Sequence, residues 1–188
     1  MTANVPLTQT DIAAISRRLD RPVVLVGLMG VGKSTVGRRL ASMLNRDFVD
    51  ADDAIEQAAQ RSIPEIFDEF GEGYFRDGER RVIGRLIEES TGVIATGGGA
   101  FVDTETRQII LERGLAVWID CDIDTLVERT SRRNTRPLLR NGDPRKILTD
   151  LMGARQQFYA QAPIRVESHD GPHSDTARAI IEAIDEWL

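Results

Sequence analysis

Gly27-Leu28-Met29-Gly30-Val31-Gly32-Lys33-Ser34 follows the aliphatic run Val23-Val24-Leu25-Val26 and precedes a stretch in which Val36, Leu40 and Leu44 recur at helical spacing. The eight residues fit G-x-x-x-x-G-K-[ST] in the strand, turn and helix setting that this pattern requires. Glycines let the backbone curl so that successive N–H groups point at a phosphate, and the helix behind adds its unpaired donors and its dipole. Gly30, Val31, Gly32, Lys33, Ser34 and Thr35 are therefore candidates to hold a nucleoside triphosphate. Lys33 would reach the β and γ phosphates, and the Ser34 hydroxyl would meet Mg²⁺. Of the 24 basic residues only Lys33 and Lys146 are lysines, so a chain that otherwise uses arginine keeps a compact ammonium at this position.

Outward from the loop, short apolar runs alternate with longer helical stretches. Phe48-Val49 ends in Asp50, Asp52 and Asp53, and Ile55 and Ala58 begin a helix. Ser62-Ile63-Pro64-Glu65 fits a capping box with proline in the first turn, opening a helix that Gly71 can close; a second carries Phe75, Val82, Ile83, Leu86 and Ile87. Val93 to Thr96 runs straight into Gly97-Gly98-Gly99, Leu115 to Ile119 is a fourth strand, and residues 163 to 167 supply a fifth. Short helices are expected at Asp11 to Leu19 and around Ile109 to Leu111, and a longer one from Ser174 to Trp187. Alternating strands and helices predict an α/β fold of three layers, a parallel sheet of about five strands flanked by helices. At 188 residues, one domain is expected.

Composition narrows the function. Hydrophobic residues are 41% and charged residues 29%, with a net charge of -6, which argues against nucleic acid or anionic lipid as a partner. Cys121 cannot form an internal disulfide and is expected to be a small buried residue. No apolar run reaches about 18 residues and none of signal-peptide length precedes Arg17, so neither a membrane span nor export is expected and the setting is read as cytoplasmic. His169 and His173 lie in a polar stretch and are expected to be solvated; Trp118 is expected in the core.

One composition shift stands out. Residues 129 to 146 hold seven basic side chains, Arg129, Arg132, Arg133, Arg136, Arg140, Arg145 and Lys146, against the single acid Asp143. Pro137, Gly142 and Pro144 are expected to break any helix there, leaving an anion-seeking lid over about 130 to 145. Phosphoryl transfer needs charge neutralised at the γ-phosphate, and Arg136, followed by Pro137, is the first candidate to deliver it. The guanine signature N-K-x-D of switch GTPases is absent from the sequence. A small-molecule kinase fits better than an ATP-driven machine, for which 188 residues leave little room.

These features together resemble the shikimate kinase family of phosphate-loop small-molecule kinases. The resemblance is carried by the loop at 27 to 34, Phe48-Val-Asp50-Ala-Asp52, Ser62-Ile-Pro-Glu-Ile66-Phe, Gly71-Glu with Phe75-Arg76 and Glu79, Ala95-Thr-Gly-Gly-Gly99, Arg129 with Asn134-Thr-Arg136-Pro-Leu-Leu139, and Arg155 with Tyr159. It spans residues 22 to 160 in the family's order. It implies MgATP phosphorylating a hydroxyl of shikimate, a cyclohexene carboxylate with three hydroxyls, to give shikimate 3-phosphate and ADP. By the same resemblance Arg76 and Arg155 bind the carboxylate, and Asp52 binds substrate hydroxyls and orients or deprotonates the attacking one. Gly97, Gly98 and Gly99 lie against the ring, Asp50 holds Mg²⁺ through water, and Arg129 packs on adenine. The substrate-binding region falls at about 50 to 90, and a monomer is expected.

The family pattern Arg-x-Pro-x-Tyr-x-Glu is here Arg155-Gln-Gln157-Phe-Tyr159-Ala-Gln161, which lacks the proline and the carboxylate. The alternative enzyme is a kinase of gluconate or of a nucleoside monophosphate, which would need other groups at 50 to 90 and has no use for the glycine triplet. A nucleotide-binding regulatory module without turnover is a third reading, disfavoured because Lys33, Ser34, Asp52 and Arg136 are all present.

Overall fold

A computed structural model describes residues 7–131 and 142–188. Five strands, β1 (Val23–Val26), β2 (Phe48–Asp50), β3 (Val93–Ala95), β4 (Leu115–Asp120) and β5 (Ile164–Glu167), form one sheet in the order β2-β3-β1-β4-β5. Every pairing is parallel. Between and around them run α1 (Gln9–Arg18), α2 (Lys33–Leu44), α3 (Ala51–Ala59), α4 (Ile63–Glu89), α5 (Thr104–Arg113), α6 (Ile123–Ser131), α7 (Pro144–Tyr159) and α8 (His173–Trp187). The expected α/β architecture with about five strands is present.

The central strand β1 is buried at all four residues, as a strand covered by helices on both faces must be. At the edge, β5 alternates instead: Ile164 and Val166 turn inward while Arg165 and Glu167 face water. The helices start where the sequence offers caps. Thr8 with Asp11 and Ser62 with Glu65 form complete capping boxes. Asp50, Asp103 and Asp143 accept backbone N–H groups at the starts of α3, α5 and α7. The two helices expected on either side of Gly71 are one element, broken at Gly71, where φ is 80° and ψ 175°.

One expectation about the helices needs correction. Pro144 does not break a helix: it occupies the first position of α7, where a missing N–H costs nothing, so Arg145 and Lys146 belong to that helix. Arg129 lies in α6, near its end. Residues 132–141, with Arg136 and most of the expected lid, lie outside the described residues. Cys121 and Trp118 are buried as expected, and burial pushes the Cys121 thiol up to about 11 against the pull of Arg129.

Candidate active site

Parallel strands send all their carboxyl ends to one edge of the sheet, and the loops that leave this edge make the site. From β1 comes the phosphate loop. Gly27 there has φ 137° and lies so close to β4 that a Cβ would sit 2.5 Å from the Ile119 carbonyl oxygen, so no other residue fits. Lys33 is buried, its Nζ donating to the carbonyls of Gly27 at 2.7 Å and Leu28 at 2.9 Å. Ser34 and Thr35 follow in the first turn of α2, and the Ser34 hydroxyl donates to Asp50 Oδ2 at 2.5 Å. The other Asp50 oxygen accepts from the N–H of Asp52 at 3.1 Å. One carboxylate thus ties the loop after β1 to the start of α3.

Asp52 sits in the first turn of α3 and is largely withdrawn from water. Burial, helped by the neighbouring Asp50 charge and opposed by Lys33, raises its pKa above the ordinary carboxylate value. Its Oδ1 lies 2.9 Å from the point where a Cβ on Gly97 would stand, and Glu79 Oε1 lies 3.4 Å from the same point. Two carboxylates therefore flank the first residue of the glycine triplet. The triplet continues β3, whose end is fixed when the Thr96 hydroxyl donates to the Leu25 carbonyl of β1 at 2.9 Å.

Arg76 projects from α4 across Gly99, where any Cβ would run into the guanidinium. Its Nη1 donates to Glu79 Oε2 at 2.5 Å, and the Glu79 side chain is 1% exposed while Arg76 keeps 23%. Burial raises the Glu79 pKa, and the adjacent guanidinium opposes the rise. From the other side, Arg155 of α7 places Nη1 3.3 Å from the Gly98 carbonyl oxygen, and the Tyr159 hydroxyl donates to that oxygen at 2.5 Å. The two arginines, 79 residues apart in the chain, thus meet adjacent glycines of one loop. Gly98 also adjoins the phosphate loop, since a Cβ there would stand 3.2 Å from the Met29 nitrogen.

At the far end of the loop, Arg129 donates to the Val31 carbonyl at 3.3 Å, the Ser168 hydroxyl at 3.1 Å and the His169 carbonyl at 2.6 Å. These bonds fix the plane of its guanidinium between the phosphate loop and the loop after β5. Beside them an open groove of about 440 Å³ is lined by Thr35, Arg38, Arg39, Ser42 and Pro172 to Ser174. His169 is solvated as expected, whereas His173 is only partly exposed. It opens α8 with its ring against Gly32, 3.3 Å from where a Cβ would stand.

Of the residues expected to bind ATP, the acceptor or Mg²⁺, all but Arg136 fall within the described residues, and those lie along this one edge. Roles for Glu79, Tyr159 and Arg107 were not visible there. The Arg76 and Glu79 spacing of three on a helix was the signal for the first. Arg107 gives no local signal: from α5 it donates to the carbonyls of Phe101 and Val102 at 3.1 and 2.9 Å and to Gln161 Oε1 at 3.1 Å.

The Ser34 hydroxyl and the Asp50 carboxylate are oxygen donors already brought together at the loop. No group of three or more His, Cys, Asp or Glu side chains suited to a metal occurs among the described residues. That donor set suits Mg²⁺, which takes one or two protein oxygens and fills its octahedron with phosphate and water.

Comparison with known proteins agrees with this geometry. The model of the shikimate kinase family matches residues 29–185. A shikimate kinase of Novosphingobium aromaticivorans is 59% identical over 97% of this chain and 96% of its own length. One from Caulobacter vibrioides is 55% identical over 87% of this chain and 82% of its own. Among solved structures, shikimate kinase from Acinetobacter baumannii in complex with shikimate superimposes with a TM-score of 0.84 at 36% identity, covering 91% of this chain and 97% of that one. Sequence, sheet order and site thus converge: the chain belongs to the shikimate kinase family.

Proposed function

We propose a division of labour among these residues for the activity the chain shares with its family, transfer of the γ-phosphoryl group of ATP to a hydroxyl of shikimate, giving shikimate 3-phosphate and ADP. The observation that carries it is the glycine loop 97–99, flanked by Asp52 and by two arginines and adjoining the phosphate loop. An acceptor seated there has its acid end at guanidinium groups and its hydroxyls toward carboxylates and phosphate.

The backbone N–H groups of Gly30 to Ser34 and the Lys33 ammonium bind the triphosphate, and Lys33 exchanges its loop carbonyls for phosphate oxygens. Ser34 would hold Mg²⁺ directly and Asp50 through water, and the bound ion would supply screening of the phosphate charge. Arg76 and Arg155 hold the carboxylate in their planar forks, which an ammonium does not match. Asp52 accepts hydrogen bonds from substrate hydroxyls and aligns, or deprotonates, the attacking one. Its raised pKa suits it to take that proton. Arg129 offers its guanidinium plane to adenine, and Arg136, with the segment 130–145, is assigned to the γ-phosphate. The region 50–90 serves as the substrate-binding part of a single kinase domain.

One copy of the chain carries every group named, so a monomer suffices. The buried free thiol of Cys121 accords with a reducing, cytoplasmic setting. Among the described residues no helix is long and apolar enough to cross a membrane.

ADP release measured with MgATP and, separately, shikimate, gluconate and nucleoside monophosphates tests the reading. Shikimate alone is expected to support turnover; comparable rates with gluconate or a nucleotide acceptor would overturn the assignment of Arg76 and Arg155 to a substrate carboxylate on this ring.

A further inference from the structure

The Gly98 carbonyl oxygen accepts two hydrogen bonds, from the Tyr159 hydroxyl at 2.5 Å and from Arg155 Nη1 at 3.3 Å. A carbonyl has two lone pairs, so both donors can engage at once. Their mobilities differ. Tyr159 is fully buried, and its ring lies 6.0 Å from that of Trp118. Arg155 is half-buried at the end of a long flexible stem. The two are four residues apart on α7, so the helix itself presents them on one face. The phenol is the rigid member, and it determines where the carbonyl points.

We propose that Tyr159 is a positioning residue for the acceptor's carboxylate: its hydroxyl holds the Gly98 carbonyl in place, and that carbonyl in turn holds the Arg155 guanidinium toward the bound acid. The inference rests on the assignment of Arg155 to the carboxylate made above. Without the hydroxyl, the carbonyl loses its shorter and more rigid donor, and the arginine loses the fixed acceptor that orients its fork. The ring remains, and so does the anchor at the end of α7, where Arg107 bonds Gln161 and lies over the Phe158 ring at 4.9 Å. Tyr159→Phe therefore removes an orientation and leaves the helix seated. The guanidinium also stands close enough to the phenol to oppose the rise in pKa that burial gives it.

The test compares the parent, Tyr159→Phe, Arg155→Ala and the double variant on two substrates, shikimate and the alcohol made by reducing its carboxylate. Tyr159→Phe is expected to lower kcat/KM for shikimate about tenfold, through KM more than kcat, with KM for ATP unchanged and the value for the alcohol altered less than about twofold. In the Arg155→Ala background the same substitution should add less than about twofold, since the group it positions is gone. The alcohol also controls for a weakened fold, which would depress both substrates alike. Equal losses on acid and alcohol, no loss on either, or full additivity with Arg155→Ala would each overturn the proposal. If Arg155→Ala itself affects acid and alcohol equally, the carboxylate assignment fails and the proposal with it. If Arg155→Ala discriminates and Tyr159→Phe does not, only the proposal fails.

Discussion

Gly27 to Ser34 draws the donors of the phosphate site from eight consecutive residues, whereas the wall beside it takes Asp52 from α3, Arg76 and Glu79 from α4, Gly97–Gly99 from the end of β3, and Arg155 and Tyr159 from α7. The loop's geometry is a property of one turn between a strand and a helix. The wall's geometry is a property of how four elements pack. Consequently, a residue that touches no ligand can matter greatly to the second region and little to the first. Arg107, which ties the turn after the glycines to α7, is such a residue.

The sharpest way to break this contrast is Lys33→Ala. The ammonium donates to the loop's own Gly27 and Leu28 carbonyls, so its loss should lower kcat by about a thousandfold or more while the melting temperature falls only a few degrees. Near-normal kcat would remove the loop from the chemistry.

Asp52→Asn should come next, lowering kcat by about 10²- to 10⁴-fold, and it carries an opposite signature in stability. Because the folded pKa of Asp52 is raised, the native state binds the proton more tightly than the unfolded chain does. Stability therefore declines as pH rises from the unfolded value, near 3.9, through the folded one, and the penalty is complete above it. The amide cannot ionise, so the variant should melt higher than the parent at pH 7, with the gap closing as pH falls toward about 4. A variant that melts lower at pH 7 would show that the carboxylate is an asset to the fold.

Arg76→Ala tests the assembled wall. Kcat/KM for shikimate should fall about ten- to a hundredfold, ATP affinity measured alone should stay unchanged, and Arg76→Lys should also be impaired because it loses the fork. The substitution strips Glu79 of its guanidinium, so the buried carboxyl should take up a proton at higher pH than in the parent, which a pH titration of stability detects. Parent-like kcat/KM in Arg76→Lys would mean that charge, not geometry, selects the acid.

The same contrast governs what could be read without coordinates. The loop, the strand order's parallel character, the capping box at Ser62 and the break at Gly71 are all encoded over a few residues, and each stands where the pattern put it. Arg76 and Arg155 were legible as candidates only through resemblance, because nothing local says that residues 79 apart meet one glycine loop. Pro144 misled because a proline before a good helical run starts a helix as readily as it ends one, and Asp143 as its cap was the clue. His173 misled because its polar neighbours resemble a loop, while its ring packs against Gly32 across the sheet edge.

The smallest effect is expected at Gln161, where the family pattern has a carboxylate. Its Oε1 accepts from Arg107 Nε, and the guanidinium keeps its bonds to the Phe101 and Val102 carbonyls whatever stands at 161. The glutamine therefore already fills the acceptor role, and the carboxylate would add only charge. Gln161 is exposed, so water screens that charge, and the gain from Gln161→Glu should be about 0.5 kcal/mol, roughly 1–2 °C in melting temperature for a chain of this size. Added salt should erase it. Kcat/KM for shikimate should stay within about twofold of the parent, because Arg155 is oriented at Gly98 and not at residue 161. A large gain in kcat/KM from this one substitution would show that the end of α7 is loosely held with glutamine, and that the wall's precision is set at residue 161 and not at Tyr159.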